Sequence, residues 1–418
     1  MTSSTQGHAE SRSQLARGLI FVGAATMVGN GAAYLLSIVA ARLLTPAEFG
    51  AFGALLGILI IVSTLTIGLQ ALTARRVATA GADRSEIEGK AIRLAVIVGI
   101  GIIVVGAVAS WPLAQVFAIP TPALVMGFAS LAFVIIGCAA MGIAQGREEH
   151  LRLSIGFIAN GVGRAAVGIV FALVFASVTG IAAGILIGTA VGALISYLLI
   201  CPKRWSGSLA PGWQVEFAHI SHALIVLFTL TNVDVLLARI FLTEDQSGEY
   251  AVGVLLAKIA FFLPNAIIIV LFPKMTASDS RRTVLIATGL TALLGSAITA
   301  VSFGLGSLVV RILGGTQYPE LSGEIWLFAL EGSAFALVQV LLYARLAAQD
   351  RKAVTAVWVA LVVLVGTVAL WRHNSVVEIV TTVVAVSLVL TVAGLFLDHR
   401  NARRNGSPEP LEPIEAAE

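Results

Sequence analysis

The chain alternates between long apolar runs and short polar segments. An α-helix needs ~20 mostly apolar residues to cross ~30 Å of hydrocarbon, and the runs meet that length twelve times. The predicted spans lie at 18–41, 50–72, 94–117, 122–145, 153–177, 180–201, 219–241, 249–272, 284–310, 324–345, 353–371 and 376–397. This pattern predicts an all-α polytopic membrane protein with about 12 transmembrane helices.

The division of residues 153–201 is the least obvious, because this stretch is apolar almost without interruption. A single helix of that length would extend ~74 Å, at about 1.5 Å per residue. We therefore predict a hairpin of two helices that turns near residues 177–180.

A charged, turn-forming phrase occurs twice. Positions 41–50 read ARLLTPAEFG and positions 238–248 read ARIFLTEDQSG, so Gly50 aligns with Gly248 at an offset of 198 residues. A second match joins AQGR at 144–147 to AQDR at 348–351. Equivalent points are separated by an even number of spans, so we predict two six-helix lobes, 18–201 and 219–397, with the same orientation and a shared axis along the membrane normal.

Composition and charge agree with this picture. Only 12% of the residues are charged, against about 25% in soluble domains, which excludes a soluble globule. Of the 26 lysines and arginines, 20 fall on the side that holds both termini and the even-numbered loops. Basic residues concentrate in the cytoplasm, so we predict cytoplasmic termini, with 1–17 as an N-terminal segment, 202–218 as a linker and 398–418 as a disordered tail. The repeated arginines, Arg42 and Arg239, are then predicted at the outer membrane surface.

Arg164 is the clearest charge inside a predicted span. It lies near the middle of the fifth span, and Asn160 lies one turn earlier on the same helix face. A charge in hydrocarbon costs at least ~2.5 kcal/mol, so it needs a partner or a function. Arg164 is either a structural arginine or a cavity cation that binds phosphate through its planar fork.

Three more charges have similar depths in the second lobe: Lys258, Asp234 and Glu331. Lys258 either pairs permanently with one of the carboxyls, or the pair breaks during transport. In the second case Asp234 or Glu331 would take up a proton or an ion, while Lys258 would meet a substrate phosphate.

Neutral polar residues also lie in or near the spans. They are hydrogen-bonded ties between helices or candidates for binding sugar hydroxyls: Asn30, Gln70, Asn160, Asn232 and Gln339. Pro264 removes a backbone hydrogen bond from the eighth span, and the resulting kink is either fixed or a hinge.

Catalytic and cofactor signatures are absent from the sequence. His219 and His222 share a helix face without a further ligand, so a metal site is not predicted. There is no Walker motif, and nothing supports nucleic-acid binding. We therefore predict a protein that is not an enzyme and needs no cofactor.

Several segments resemble the polysaccharide transporter family of lipid-linked oligosaccharide flippases, which is related to lipid II flippases and to MATE multidrug exporters. They are ARLLTPAEFGAFGALLG, the AQGR that closes the fourth span, and TNVDVLLARIFL followed by GEYAVGVLLAKIAFFLPNAIIIVLFPKM. The resemblance is strongest over 18–175 and 219–277. It implies export of a polyprenyl (pyro)phosphate-linked saccharide across the inner membrane by alternating access, among membrane lipids and with polysaccharide polymerases or glycosyltransferases as possible partners.

Two other functions are considered. A proton- or cation-coupled multidrug exporter has the same architecture, but the cations Arg164 and Lys258 favour an anionic substrate. A membrane-embedded glycosyltransferase or polymerase normally has a large outer loop, whereas the longest one here is the short GGTQYPELSGE.

Overall fold

Helices joined by short turns make up the protein in the computed structural model, which describes residues 3–81, 83–200, 212–262, 280–347 and 352–405. No β-strand occurs in these ranges. The helices are α1 Ser3–Leu43, α2 Pro46–Ala78, α3 Arg84–Phe117, α4 Thr121–Gly146, α5 His150–Phe175, α6 Val178–Ile200, α7 Trp213–Leu230, α8 Val233–Phe241, α9 Glu244–Phe262, α10 Ser280–Gly304, α11 Gly306–Gly314, α12 Ile325–Ala347, α13 Lys352–Leu370 and α14 Val376–Asn405, with a short 3-10 helix at Glu320–Gly323.

The helices confirm a multi-pass membrane protein. Among the described residues, nine helices are long and apolar enough to cross a bilayer, and α7 with α8 forms a tenth span if this bent pair is counted as one. The predicted eighth span, 249–272, begins in α9 and continues beyond the described residues. The predicted eleventh span corresponds to α13, whose apolar part, Val354–Leu370, is shorter than the others.

The predicted hairpin within 153–201 is confirmed. Helix α5 ends at Phe175 and α6 begins at Val178. Between them Ala176 adopts a left-handed conformation with φ 41°, and its N–H donates to the Ala172 carbonyl at 2.9 Å.

The seventh predicted span is not one straight helix. Helices α7 and α8 meet at an angle of 44°, and the break falls at Thr231 and Asn232. The Asn232 side-chain amide donates to the Phe228 carbonyl at 2.9 Å, and the Thr231 hydroxyl donates to the same carbonyl at 3.3 Å. Side chains that bond nearby carbonyls compete with the helix ladder, which accounts for a bend without proline.

Helices α1–α6, here called the N-terminal half, pack mainly against one another, as do α7–α14, the C-terminal half. The two halves meet where α2 packs against α7 and α9. Here Gly50 and Gly248 bring the backbones together, since a Cβ on Gly50 would lie 2.9 Å from the Gly248 nitrogen and one on Gly248 would collide with Pro46. The repeated glycines therefore mark a close approach of the halves.

The two ends of the helices differ. The hairpin end carries the turns at 44–45, 118–120, 176–177, 242–243, 315–324 and 371–375. The basic end carries the turns at 79–83 and 147–149. At the basic end Arg147, the arginine of AQGR, donates to Glu88 at 2.7 Å and to the Ile200 carbonyl at 3.0 Å. It thus ties the end of α4 to α3 and α6.

Candidate functional site

Among the described residues, a cavity here called the larger cavity lies between the halves. Its volume is about 230 Å³. The N-terminal half contributes polar side chains from five helices, and the C-terminal half contributes an ammonium group from α9: Asn30, Tyr34, Ser37, Ser63, Ser130, Arg164, Thr189 and Lys258. Much of the remaining wall is apolar, including Leu59, Ile60 and Phe262.

Arg164 faces this cavity from the middle of α5. Neighbouring Gly163 and Gly188 allow α5 and α6 to approach at this level, since a Cβ on Gly188 would lie 2.7 Å from the Arg164 Cα. Within the described part of the chain Arg164 has no acidic partner; the ionisable group that interacts with it is the Cys138 thiol. Its charge is therefore available to an anion in the cavity.

Lys258 belongs to both cavities. It lines the larger one and also the smaller one, whose volume is about 50 Å³. Asp234 and Glu331 lie close enough to interact electrostatically with Lys258. Neither carboxyl forms a direct ion pair with Lys258 in the described structure, so the ammonium stands between the carboxyls on one side and the larger cavity on the other.

The smaller cavity contains the two carboxyls. Asp234 and Glu331 are each 1% exposed, and they contact each other in the wall of this cavity together with Asn232. Tyr250, which was not predicted as a site residue, adjoins Asp234. Charged carboxyls in contact repel each other, and a shared proton, a bound cation or a nearby ammonium relieves the repulsion.

Three oxygens that line the smaller cavity, and the hydroxyl of Tyr250 beside Asp234, have no hydrogen-bond partner of regular geometry among the described residues. They are Asp234 Oδ1, Glu331 Oε2, Asn232 Oδ1 and the Tyr250 hydroxyl. Buried polar atoms are nearly always satisfied. The site can therefore accept a further proton, cation or water molecule.

The other predicted site residues are placed as follows. Asn30 lines the larger cavity and Asn232 the smaller one. Asn160 lines neither; its amide donates to Ser196 at 2.8 Å and ties α5 to α6. Gln70 donates to Gln145 at 3.2 Å, and Gln339 is buried away from both cavities, 5% exposed. Pro264 lies outside the described residues.

Tyr34 is a cavity residue that the sequence analysis missed. It lines the larger cavity, and its ring packs edge-on against Phe262 with centroids 6.4 Å apart. Tyr34 follows Asn30 by four positions and therefore shares its helix face. This spacing would have identified it.

The repeated phrase forms a capping box in both copies. The Thr45 hydroxyl accepts from the Glu48 N–H at 3.3 Å, and Glu48 accepts from the Thr45 N–H at 3.2 Å. Gln246 and Thr243 make the same reciprocal pair, at 3.3 Å in each direction. The phrase thus builds the first turn of α2 and of α9 in the same way.

Arg239 lies at the hairpin end, where neighbouring helices cover it. Its side chain is buried, with the residue 8% exposed, and it donates to the Phe117 carbonyl at 2.9 Å. Arg42, its counterpart, is exposed. Sequence position alone placed both residues at a helix end, but it did not reveal that α3 covers Arg239.

No cluster of three or more metal-binding side chains occurs among the described residues. His222 accepts a hydrogen bond from the Trp358 indole at 3.3 Å.

Comparison with solved structures defines the class of protein. The chain is similar to a MATE-family multidrug transporter in an inward-facing conformation, with a TM-score of 0.73, 14% identity, and coverage of 90% of this chain and 96% of that one. It is similar to the lipid II flippase MurJ in an inward closed conformation, with a TM-score of 0.73, 10% identity and coverage of 91% and 87%. A MOP-superfamily transporter from Pyrococcus furiosus matches with a TM-score of 0.57, 14% identity and coverage of 92% and 95%. The protein therefore has the fold of the MOP-superfamily membrane transporters.

The family follows from the sequence. The model of the polysaccharide biosynthesis protein family matches residues 15–279, and the chain belongs to that family. No curated protein matches the chain in sequence.

Proposed function

We propose that this protein is a flippase that moves a polyprenyl (pyro)phosphate-linked saccharide from the cytoplasmic to the outer leaflet of the cytoplasmic membrane. The single observation that carries the proposal is that Arg164 of the N-terminal half and Lys258 of the C-terminal half face one cavity. A guanidinium and an ammonium in an apolar enclosure favour a phosphate group over a neutral or cationic ligand.

The neutral side chains of the cavity suit the saccharide, and the surrounding bilayer suits the polyprenyl chain. Asn30, Ser63 and Thr189 offer neutral donors and acceptors to sugar hydroxyls. The polyprenyl chain would remain in the bilayer, because moving it out of hydrocarbon would cost about 0.8 kcal/mol for each CH2 group. The proposed substrate therefore divides between the polar cavity and the surrounding lipid.

Alternating access fits the size of the cavity. Its volume of about 230 Å³ is below the ~300–1,000 Å³ of usual small-molecule sites. A saccharide headgroup would enter and leave only when the halves, proposed as lobes 18–201 and 219–397, move apart. In this proposal both termini and the basic end are cytoplasmic, and the product would supply a polymerase or glycosyltransferase of cell-surface polysaccharide assembly.

Reconstituted transport tests the proposal. Proteoliposomes carrying a fluorescent polyprenyl diphosphate-linked saccharide would show flipping as accessibility to a quencher added outside. We expect Arg164→Gln to lower the initial rate about tenfold or more, because one charge-assisted contact is worth roughly 1.5–3 kcal/mol. Arg164→Lys should retain part of the rate, since the charge remains without the fork.

The matched control is Arg152→Gln, whose side chain is 49% exposed at the start of α5. Its rate should equal that of the wild type. Undiminished flipping by Arg164→Gln would remove Arg164 from the substrate site, and no flipping by any variant, the wild type included, would reject this substrate class.

A cation-coupled multidrug exporter is the second candidate, favoured by the buried carboxyls Asp234 and Glu331. The same proteoliposomes distinguish it. Uptake of a fluorescent lipophilic cation that is abolished in Asp234→Asn and unaffected in Arg164→Gln would support the exporter. Flipping of the lipid-linked saccharide that depends on Arg164 supports the flippase.

A further inference from the structure

The repeated arginines each cross from one half of the molecule to the other. Arg42, at the end of α1, donates through Nη2 to the carbonyls of Ile312 at 2.6 Å and Arg311 at 3.3 Å. Both carbonyls lie in the last turn of α11. The N-terminal half thereby caps a helix of the C-terminal half.

Arg239 makes the reciprocal contact. From α8 it donates through Nε to the Phe117 carbonyl at 2.9 Å and through Nη2 to the Ala118 carbonyl at 3.1 Å, at the end of α3. Its Nη1 reaches the Ala47 carbonyl at 3.3 Å. The C-terminal half thereby caps a helix of the N-terminal half.

These contacts are equivalent under the repeat. Each arginine ends the first predicted span of its own half, and each set of acceptors ends the third predicted span of the opposite half, in α3 and in α10 with α11. The last carbonyls of a helix have no partner within it and carry partial negative charge, which a cation stabilises. Two arginines from equivalent positions thus satisfy equivalent groups across the interface.

Two further hydrogen bonds strengthen the Arg42 side. The Gln317 amide donates to the Arg42 carbonyl at 3.0 Å, and the Tyr318 hydroxyl donates to the Ala41 carbonyl at 3.3 Å. Burial, followed by the nearby carboxyls of Glu249 and Asp245, raises the pKa of the Tyr318 hydroxyl. It therefore remains protonated and can donate at any physiological pH.

The contacts lie at the hairpin end, beside the close approach of Gly50 and Gly248. Lys258 follows Gly248 on the same helix by ~15 Å at about 1.5 Å per residue, so the cavity lies deeper in the molecule. For the cavity to open towards the hairpin end, α3 and α11 must separate from the arginines that cap them. Opening would break the hydrogen bonds from the arginines. Water could then hydrate the freed carbonyls, so the cavity could close again.

We propose that Arg42 and Arg239 form a two-sided latch that holds the hairpin end closed and must release for the cavity to open on that side. The latch rests on the proposed alternating access, and it acts through conformation rather than by contact with the substrate. Both arginines are therefore positioning residues.

Distances between spin labels in liposomes without substrate test the latch. The background would lack the native thiols, as Cys138→Ala and Cys201→Ala, and carry labels at Pro122→Cys in the N-terminal half and Glu320→Cys in the C-terminal half, both exposed at the hairpin end. We expect Arg42→Ala to raise the population of longer distances between the labels about fivefold. A change of this size is typical when a helix terminus loses a strong interaction with a charge. Adding Arg239→Ala should raise it further.

Arg311→Ala is the matched control, because this exposed arginine lies at the same end and contributes to the latch only through its carbonyl. Its distance distribution should equal that of the wild type. If the double variant folds and retains the wild-type distribution, the latch is rejected.

If Arg239→Ala does not fold, Arg239→Lys replaces it, since lysine keeps the charge without the fork. The distance distribution of Arg42→Ala then decides whether the latch exists. Because no substrate is present, the outcome is independent of the Arg164 flipping assay. Loss of flipping with a normal latch would reject the proposed function alone, and an unchanged distribution with normal flipping would reject the latch alone.

Discussion

The two halves are alike at the hairpin end and unlike in the membrane interior. Both halves build the same capping box, the same glycine contact and the same arginine cap. In the interior, the N-terminal half supplies Arg164 without an acidic partner in the described structure, whereas the C-terminal half supplies Lys258 with Asp234 and Glu331. The duplicated features join the halves, and the features that differ face the cavities. The features shared by the two halves therefore lie where the halves meet, and the features that differ lie at the candidate site.

The largest expected effect is at the basic end, where Arg147 ties one half together. Glu88 is 2% exposed and the Arg147 side chain is 15% exposed, so Glu88→Gln removes the buried counter-charge of Arg147 and leaves only the more exposed Glu149, at 3.7 Å. Removal of one partner of a buried pair costs about 3 kcal/mol or more. We expect a correspondingly lower free energy of unfolding, measured by denaturant titration in detergent.

Glu149→Gln provides the comparison, because its side chain is 30% exposed beside the same arginine. A surface pair is worth about 0–1 kcal/mol. If Glu88→Gln and Glu149→Gln lowered the free energy of unfolding equally, the buried pair of Arg147 with Glu88 would contribute no more to stability than the exposed one.

The glycine contact tests the likeness of the halves more directly. A Cβ on Gly248 would collide with Pro46, and one on Gly50 would collide with Ser247. We expect Gly50→Ala and Gly248→Ala each to lower the free energy of unfolding by about 2 kcal/mol, as overpacked sites do.

Gly289→Ala is the matched control, since nothing lies within 4 Å of its added Cβ. Alanine favours a helix over glycine by about 1 kcal/mol, so this variant should be as stable as the wild type or more stable. A cost at one repeat glycine but not at the other would show that the joint is asymmetric.

The smallest expected effect concerns the two capping boxes. Thr45→Ala and Thr243→Ala each remove an N-cap hydroxyl, which costs about 1 kcal/mol. The two losses, measured by the same titration, should agree within about 0.5 kcal/mol. Thr316→Ala, in an exposed turn, should leave the free energy of unfolding unchanged. If the losses from Thr45→Ala and Thr243→Ala differed by more, the two capping boxes would not be equivalent.

Hydrophobic length predicted much of the fold. Nearly every apolar run became a helix, and the hairpin near 177–180 followed because no single helix of that length fits a bilayer. The bend between α7 and α8 was not predicted, since it depends on the Asn232 and Thr231 side chains rather than on proline or glycine. Windowed hydropathy does not record such local competition for carbonyls.

The candidate site was predicted in part. Depth along each span was enough to select Arg164, Lys258, Asp234 and Glu331, which all line the two cavities. Depth could not show that Asn160 bonds to Ser196 instead, because the side of a helix that faces a neighbour depends on packing.

The capping boxes also bear on how the protein enters the bilayer during synthesis. Each box joins residues three positions apart, and such local contacts form quickly and need no distant partner. The turns between α1 and α2 and between α8 and α9 can therefore close while later helices are still being made. Each helix pair can insert as a preformed unit, before the arginines have a partner half to cap.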